Sequence, residues 1–231
     1  MTCRAVSGPY RPPDLAHVPL PVIFLDDAIA VVDKPPDLLT CPGTSTPGWD
    51  SVLTRAQRLF PGATGSLLVH RLDQATSGLL VLALTPEAHL QLSGDFAARR
   101  VEKDYVAVLD GELAMSGGEI SLPLRLDYPR RPLQIVDPAA GKPAQTSWRR
   151  LEVGGGRSLV LFQPRTGRTH QLRVHAADPR GLGAPIVGDR LYGTDGPRLL
   201  LHASRLAFSH PLTGLLLGFD SAPRSDTFRT P

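Results

Sequence analysis

An arginine and a carboxylate two positions apart, Arg71 and Asp73, stand in the string Val69-His70-Arg71-Leu72-Asp73-Gln74-Ala75-Thr76-Ser77-Gly78. A positioned carboxylate can serve as nucleophile or base, and a guanidinium fork can grip a phosphate in bidentate fashion. Either use needs rigid neighbours. The string lies between two apolar runs, Ser66 to Val69 and Leu79 to Leu84, each with the length and content of a buried strand. The segment between them is polar and ends in Thr-Ser-Gly, which is loop chemistry. A loop held by a strand on each side is an economical place to build fixed geometry. The same residue types also suit a turn in which Asp73 only caps the backbone. Residue type alone leaves both readings open.

The elements that must position this loop can be read around it. Val22 to Leu25 and Ala28 to Val32 are strand-like, with Asp26-Asp27 as their turn, and Lys34-Pro35-Pro36 ends the second. A Gly/Pro/Thr/Ser loop follows through Gly48. Asp50 is expected to cap a helix whose apolar positions are Val52, Leu53, Ala56, Leu59 and Phe60, stopped by Pro61-Gly62. Thr85-Pro86-Glu87 is a helix start, with Ala88, Leu92 and Phe96 as its buried stripe and an end near Arg99-Arg100. Val101 to Leu109 alternates, which predicts a strand with one face exposed. Short strands are expected over 120–122, 133–136, 145–148 and 158–162, as in a mainly antiparallel meander. Thr166 to His175 is ambiguous: Leu172 and Val174 alternate as in a strand, whereas Thr169 could cap a helix. Leu199 to Phe208 is apolar and Leu215 to Leu217 suits a last strand. Residues 1–20 are expected to form a mobile arm, 21–220 a single catalytic domain of mixed α and β elements, and 221–231 a mobile tail.

Composition narrows the classes. The chain has 231 residues, 42 % of them hydrophobic, as in a globular domain. No run approaches the roughly 18 apolar residues of a membrane span, and the N-terminus lacks a signal-peptide core. Cys3 and Cys41 cannot form a disulfide framework, so a reducing cytoplasm is expected. The net charge is only +3, but the basic residues are 22 Arg and three Lys (Lys34, Lys103, Lys142). That bias fits either a GC-rich genome or phosphate recognition.

His70-Arg71-Leu72-Asp73, followed by Thr76-Ser77-Gly78 and an apolar strand, resembles the signature of the RluA family of RNA pseudouridine synthases. Lys103-Asp104-Tyr105 resembles that family's Lys-x-Tyr, Thr166 to His175 its third motif, and Gly188-Asp189-Arg190-Leu191-Tyr192-Gly193 and Leu201-His202-Ala203 its later signatures. The likeness runs from about Val22 to Phe219. Asp127 to Pro132 and Gly141 to Thr146 look like the short members that act on large-subunit ribosomal RNA and on tRNA. The chain starts almost directly with the first strands, which is expected to leave no room for a small N-terminal RNA-binding S4 domain. Two departures stand out: Asp37 replaces a common Gly, and Ala184 a common His. The resemblance implies an α+β pseudouridine synthase fold, a long, bent, mixed and largely antiparallel sheet flanked by helices, with the active cleft across it.

It also implies roles. Asp73 is the essential catalytic residue. Arg173 faces it as a cation; two charges ~4 Å apart at an effective dielectric of ~20 attract by about 4 kcal/mol before desolvation. Tyr105 stacks on the target base. Arg71 fills the space left by the flipped nucleotide, and Lys103, Arg168 and Arg190 contact the RNA backbone. His70 and Gln171 hold the two motifs by hydrogen bonds. The expected partner is structured RNA, ribosomal RNA or a tRNA anticodon stem-loop or both. No cofactor, metal, membrane or obligatory protein partner is expected, and a monomer suffices. His170 and His175, five apart, lack the same-face spacing of a helical metal site. Two alternatives remain in view. One is a nucleoside hydrolase using Asp73, although no second carboxylate stands nearby as general acid. The other is a non-catalytic RNA-binding or assembly protein of the same fold.

Overall fold

Alternate residues of the central strands point to opposite faces and meet a different helix on each, and this layering positions the rest. The computed structural model describes residues 17–43 and 49–223. Residues 1–16 of the expected arm over 1–20, residues 224–231 of the expected tail over 221–231, and residues 44–48 of the loop lie outside the described residues. Strand β1 (Val22–Leu25) pairs with β2 (Ile29–Lys34), and β2 pairs with β3 (Ser77–Ala83), both antiparallel. Every residue of β2 and β3 is buried. Ala30, Val32, Leu80 and Leu82 pack with Val52 and Ala56 of α1 (Val52–Leu59). Ile29, Val31, Leu79, Val81 and Ala83 pack with Ala88 and Leu92 of α2 (Pro86–Ala97).

Helix α2 starts as expected: the Thr85 hydroxyl accepts from the Ala88 N–H, with Pro86 at the first position. Helix α1 does not start on Asp50. Ser51 caps it in a reciprocal box, its hydroxyl taking the Thr54 N–H at 3.1 Å while Thr54 Oγ1 takes the Ser51 N–H at 2.9 Å. Asp50 is drawn aside by Arg55, whose Nε lies 2.8 Å from it. The run Ser66 to Val69 is not a strand. It makes one bridge, Leu68 to Leu82; Leu67 is buried, Leu68 and Val69 pack half-buried against the cores on either side of β3, and Ser66 is exposed. Its apolarity reports burial, not ladder pairing.

The sheet continues through β10 (Leu201–Ser209), β4 (Glu102–Asp110), β9 (Arg157–Pro164), β8 (Gln145–Gly154) and β5 (Gly117–Ser121). Among the described residues nine strands join in the order β1-β2-β3-β10-β4-β9-β8-β5, with β11 (Leu216–Asp220) added along β10. All neighbours are antiparallel except β3 and β10, which run parallel at Ser77/Gly78 and His202/Ala203. That junction requires Gly78: its φ is +113°, and a Cβ there would sit 2.3 Å from the Ala203 carbonyl oxygen. Strand β4 differs from the half-exposed expectation. It lies between β10 and β9, and Ala107, Val108 and Leu109 are fully buried.

Two elements lie beside this frame. A two-stranded ribbon, β6 (Leu124–Leu126) with β7 (Gln134–Val136), stands apart from the main sheet; β6 had no strand signal of its own. The ambiguous stretch resolves as helix α3 (Gln171–Ala177), six of whose seven residues are buried. Thr169 does not cap it. The N-cap is His170 in a left-handed conformation, φ 54°. Asp37, too, is left-handed at φ 64°, which explains why Gly suits that position.

Candidate active site

The loop after Leu72 is pinned from one side by the segment that follows β2. Thr40 Oγ1 donates to the Leu72 carbonyl at 2.7 Å and accepts the Leu72 N–H at 3.2 Å. Lys34, with no exposed surface, donates from Nζ to the carbonyls of Pro35 (3.0 Å), Leu38 (2.8 Å) and Gln74 (2.8 Å). Burial pushes its pKa down to about 7 against the pull of Asp37 and Asp73. Three carbonyl acceptors match the three donors of an ammonium, so Lys34 clamps the residue directly after Asp73. The sequence reading used Lys34 only as a strand end. A lysine closing an all-apolar strand was the available signal, since a fully buried Lys is rare without partners.

Below the loop, His70 stacks on Phe96 with ring centroids 4.3 Å apart, and its Nε2 accepts the Val81 N–H at 3.1 Å. Lys103 Nζ sits 5.9 Å from the centre of the same Phe96 ring. Burial, then the Lys103 charge, hold the His70 pKa down at about 3, so its ring is neutral and can accept.

A cleft opens beside this loop. Its wall includes Arg71, Asp73, Lys103, Tyr105, Arg168, His170, Gln171 and Arg173. The structure therefore gathers most of the singled-out residues around one space. Arg190 is not among the cleft's lining; it lies near Asp195, Nε at 2.7 Å from Oδ1. Tyr105 reaches the cleft from β4, and burial followed by the Asp73 charge pushes its phenol pKa up. Arg71 is exposed at the rim. Arg168 donates from Nε to the Pro143 carbonyl at 3.0 Å. Gln171 accepts from the Thr166 hydroxyl (2.7 Å) and the Arg168 N–H (3.0 Å), and donates to Gln145 O and Thr146 Oγ1, both at 2.9 Å.

Arg173 departs from the simple picture of a cation facing Asp73. Its fork is held bidentate by Asp189, Nε to Oδ2 at 2.7 Å and Nη2 to Oδ1 at 2.6 Å. Only Nη1 is left toward Asp73, at 3.9 Å from Oδ2. Burial opposes charge on Arg173, but the hydrogen bonds and charge of Asp189, together with Asp73, outweigh it and raise its pKa. Asp189 is wholly buried, and its Oδ1 also accepts the N–H groups of Leu191 (3.0 Å) and Tyr192 (3.2 Å). Asp189 carried no assigned role in the sequence reading, although it stood in a quoted signature. Asp73 keeps 20 % of its side-chain surface open to the cleft.

His170 was likewise missed, having been weighed only as a metal ligand. Its Nδ1 lies 2.7 Å from the Tyr192 hydroxyl, which in turn accepts the Gln134 N–H at 2.8 Å. Among the described residues no group of three or more His, Cys, Asp or Glu side chains could hold a metal ion. The arrangement can present a carboxylate, an aromatic face and several cations to a nucleotide.

Comparison with known proteins is consistent with this geometry. A family model described as RNA pseudouridylate synthase matches residues 28–178. The dual-specificity RNA pseudouridine synthase RluA of Escherichia coli K12 is 44% identical over 216 residues, covering 91% of this chain and 95% of that protein. Its namesake from Haemophilus ducreyi is 39% identical over 93% of this chain and 97% of its own length. Among solved structures, human RNA pseudouridylate synthase domain containing 1 superposes with a TM-score of 0.73 at 30% identity, over 89% of this chain and 84% of that one.

Proposed function

This chain belongs to the RNA pseudouridylate synthase family, and on that basis we propose that Asp73 drives the conversion of selected uridines in ribosomal RNA and in a tRNA anticodon stem-loop. An RNA pseudouridine synthase is an isomerase. It breaks the bond from C1′ to N1, turns the uracil and joins C1′ to C5, with no net gain or loss of atoms. A carboxylate that attacks the nucleotide or removes a proton from it can start this sequence, and Asp73 is the carboxylate so placed. The single observation that carries the reading is the position of Asp73 on the cleft wall, with the Tyr105 ring and the Asp189-locked Arg173 guanidinium lining the same space.

The other roles belong to the same proposal. A base buried in a stem must be flipped out to reach Asp73. Tyr105 stacks on it, worth about 1–3 kcal/mol per base. Arg71, exposed at the rim, enters the space the base leaves. Lys103 and Arg168 meet phosphates at the cleft, and Arg190 extends the basic track outside it. His70 and Gln171 keep the catalytic loop and the third motif in register. The dual substrate is supported by the name and near full-length identity of the RluA relatives. The reading is completed by a monomer that acts in the cytoplasm without a protein partner.

Pseudouridine mapping of total RNA from cells with and without the gene tests the targets. Sites lost from both ribosomal RNA and tRNA are expected. Loss from one class alone would reduce the proposal to a single substrate, and loss from neither would refute it.

A further inference from the structure

His170 carries three features that the roles above leave unused. Its backbone is left-handed, a conformation uncommon for a non-glycine residue and concentrated at functional positions. It lines the cleft with Asp73, Tyr105 and Arg173. And its neighbours favour one tautomer. The Tyr192 hydroxyl accepts the Gln134 N–H, so its own proton is free for His170 Nδ1, 2.7 Å away. Nδ1 is then an acceptor and the ring hydrogen sits on Nε2. No described residue partners Nε2. No fully buried side-chain nitrogen or oxygen lacks a partner in the structure. Nε2–H therefore keeps some open surface, on a residue that lines the cleft, and can meet what occupies it.

We propose that His170 is a catalytic residue that contacts the substrate, donating its Nε2–H to a carbonyl oxygen of the target uracil. This deepens the pseudouridine synthase reading and rests on it. When the N1–C1′ bond breaks, its electron pair stays with the uracil and spreads over N1, O2 and O4. A donor aimed at O2 or O4 stabilises that charge more than it stabilises the intact nucleotide, as in an oxyanion hole. No proton leaves His170. C5 loses its hydrogen as a proton after joining C1′, and N1 takes a proton up. Burial lowers the His170 pKa, which keeps the ring neutral and the Nε2–H a hydrogen-bond donor only. Tyr192 becomes a positioning residue, and Gln134 ties the β6–β7 ribbon to the same relay.

The test pairs variants with single-atom changes in the RNA. His170→Asn tolerates the left-handed backbone but is too short to reach the position of Nε2. Single-turnover rates at saturating RNA are measured for a stem-loop carrying uridine, 2-thiouridine or 4-thiouridine at the target. The wild-type rate on uridine checks the synthase reading itself. His170→Asn is expected to slow turnover about a hundredfold, the effect of losing one such donor, with RNA affinity nearly unchanged. Tyr192→Phe should give a smaller loss in the same direction. Sulfur is a poor acceptor, so one of the two thio substitutions should slow the wild type and leave His170→Asn unaffected. Equal thio penalties in both proteins at both positions would overturn the proposal, even with wild-type activity intact. So would a His170→Asn defect confined to RNA affinity.

Discussion

Asp189 decides how Arg173 can serve Asp73. Its two oxygens take Nε and Nη2 and leave Nη1 toward the Asp73 carboxylate. Replacing Arg173 with Met therefore strands two carboxylates, one of them without exposed surface. Removing one partner of a buried pair typically costs about 3–5 kcal/mol, and a loss of that size is expected in urea unfolding of Arg173→Met. Adding Asp189→Asn should recover most of the stability, because the carboxylate with no exposed surface no longer carries an unpaired charge, but not the turnover, because Asp73 still lacks its cation. Recovery of both together would show that Arg173 acts on the fold alone. Asp73, the cleft tyrosine and this arginine were legible as candidates because they occupy short ordered strings. The duties of Asp189, Lys34 and His170 were not. Each depends on atoms brought together from distant parts of the chain, and no local spacing encodes that a fork is already engaged or a tautomer already set.

The loop that bears Asp73 keeps its shape because the elements around it are locked at special residues. His70 must be neutral to accept the Val81 N–H. Its folded pKa, lowered to about 3, lies below the ordinary value of 6.5. As pH falls below 6.5 the unfolded chain binds a proton that the folded chain refuses. This site's stabilising contribution, fully present at neutral pH, is thus lost at about 1.4 kcal/mol per pH unit down toward pH 3. His70→Gln cannot protonate and should show a shallower fall in unfolding free energy between pH 7 and 5. Equal slopes in the two proteins would contradict a buried neutral His70. At the β3–β10 junction, Gly78→Ala should cost about 3 kcal/mol through backbone strain and overpacking, read as a lowered urea midpoint. An unchanged midpoint would mean the junction can open at no cost. Most of these elements were legible in periodicity and turn residues: β1 to β4, α1 and α2 stand close to where pattern put them. The exceptions have physical causes. Leu67 to Val69 are apolar because they pack against the cores beside β3, without a strand to pair along their length. Residues 171–177 are buried nearly all round, which erases the amphipathic period that would have distinguished helix from strand.

At the scale of the whole molecule, a net charge of +3 understates the local charge at the cleft, where Arg71, Lys103 and Arg168 gather; in the proposed reading these three and Arg190 meet RNA phosphates. Four phosphate contacts release counterions, so affinity should fall about a hundredfold between 50 and 200 mM salt. A flat salt response in a binding titration would remove these cations from the RNA face. The strand order, with β10 inserted between β3 and β4 and the last strand laid along it, could not be read from local pattern, because register and crossover are set by long-range pairing. The architecture was nonetheless anticipated through the ordered motifs shared with a family. The proposed use of this frame rests on Asp73. The most direct measurement is a reaction of purified wild type and Asp73→Asn with the same stem-loop RNA, followed by pseudouridine mapping and mass analysis of the product. Wild type should yield pseudouridine with no change in mass and no free uracil. Asp73→Asn should bind the RNA with similar affinity and turn over less than about a hundredth as fast, a loss of more than ~2.7 kcal/mol of transition-state stabilisation. Release of free uracil by the wild type, or turnover by Asp73→Asn above that level, would contradict the assignment.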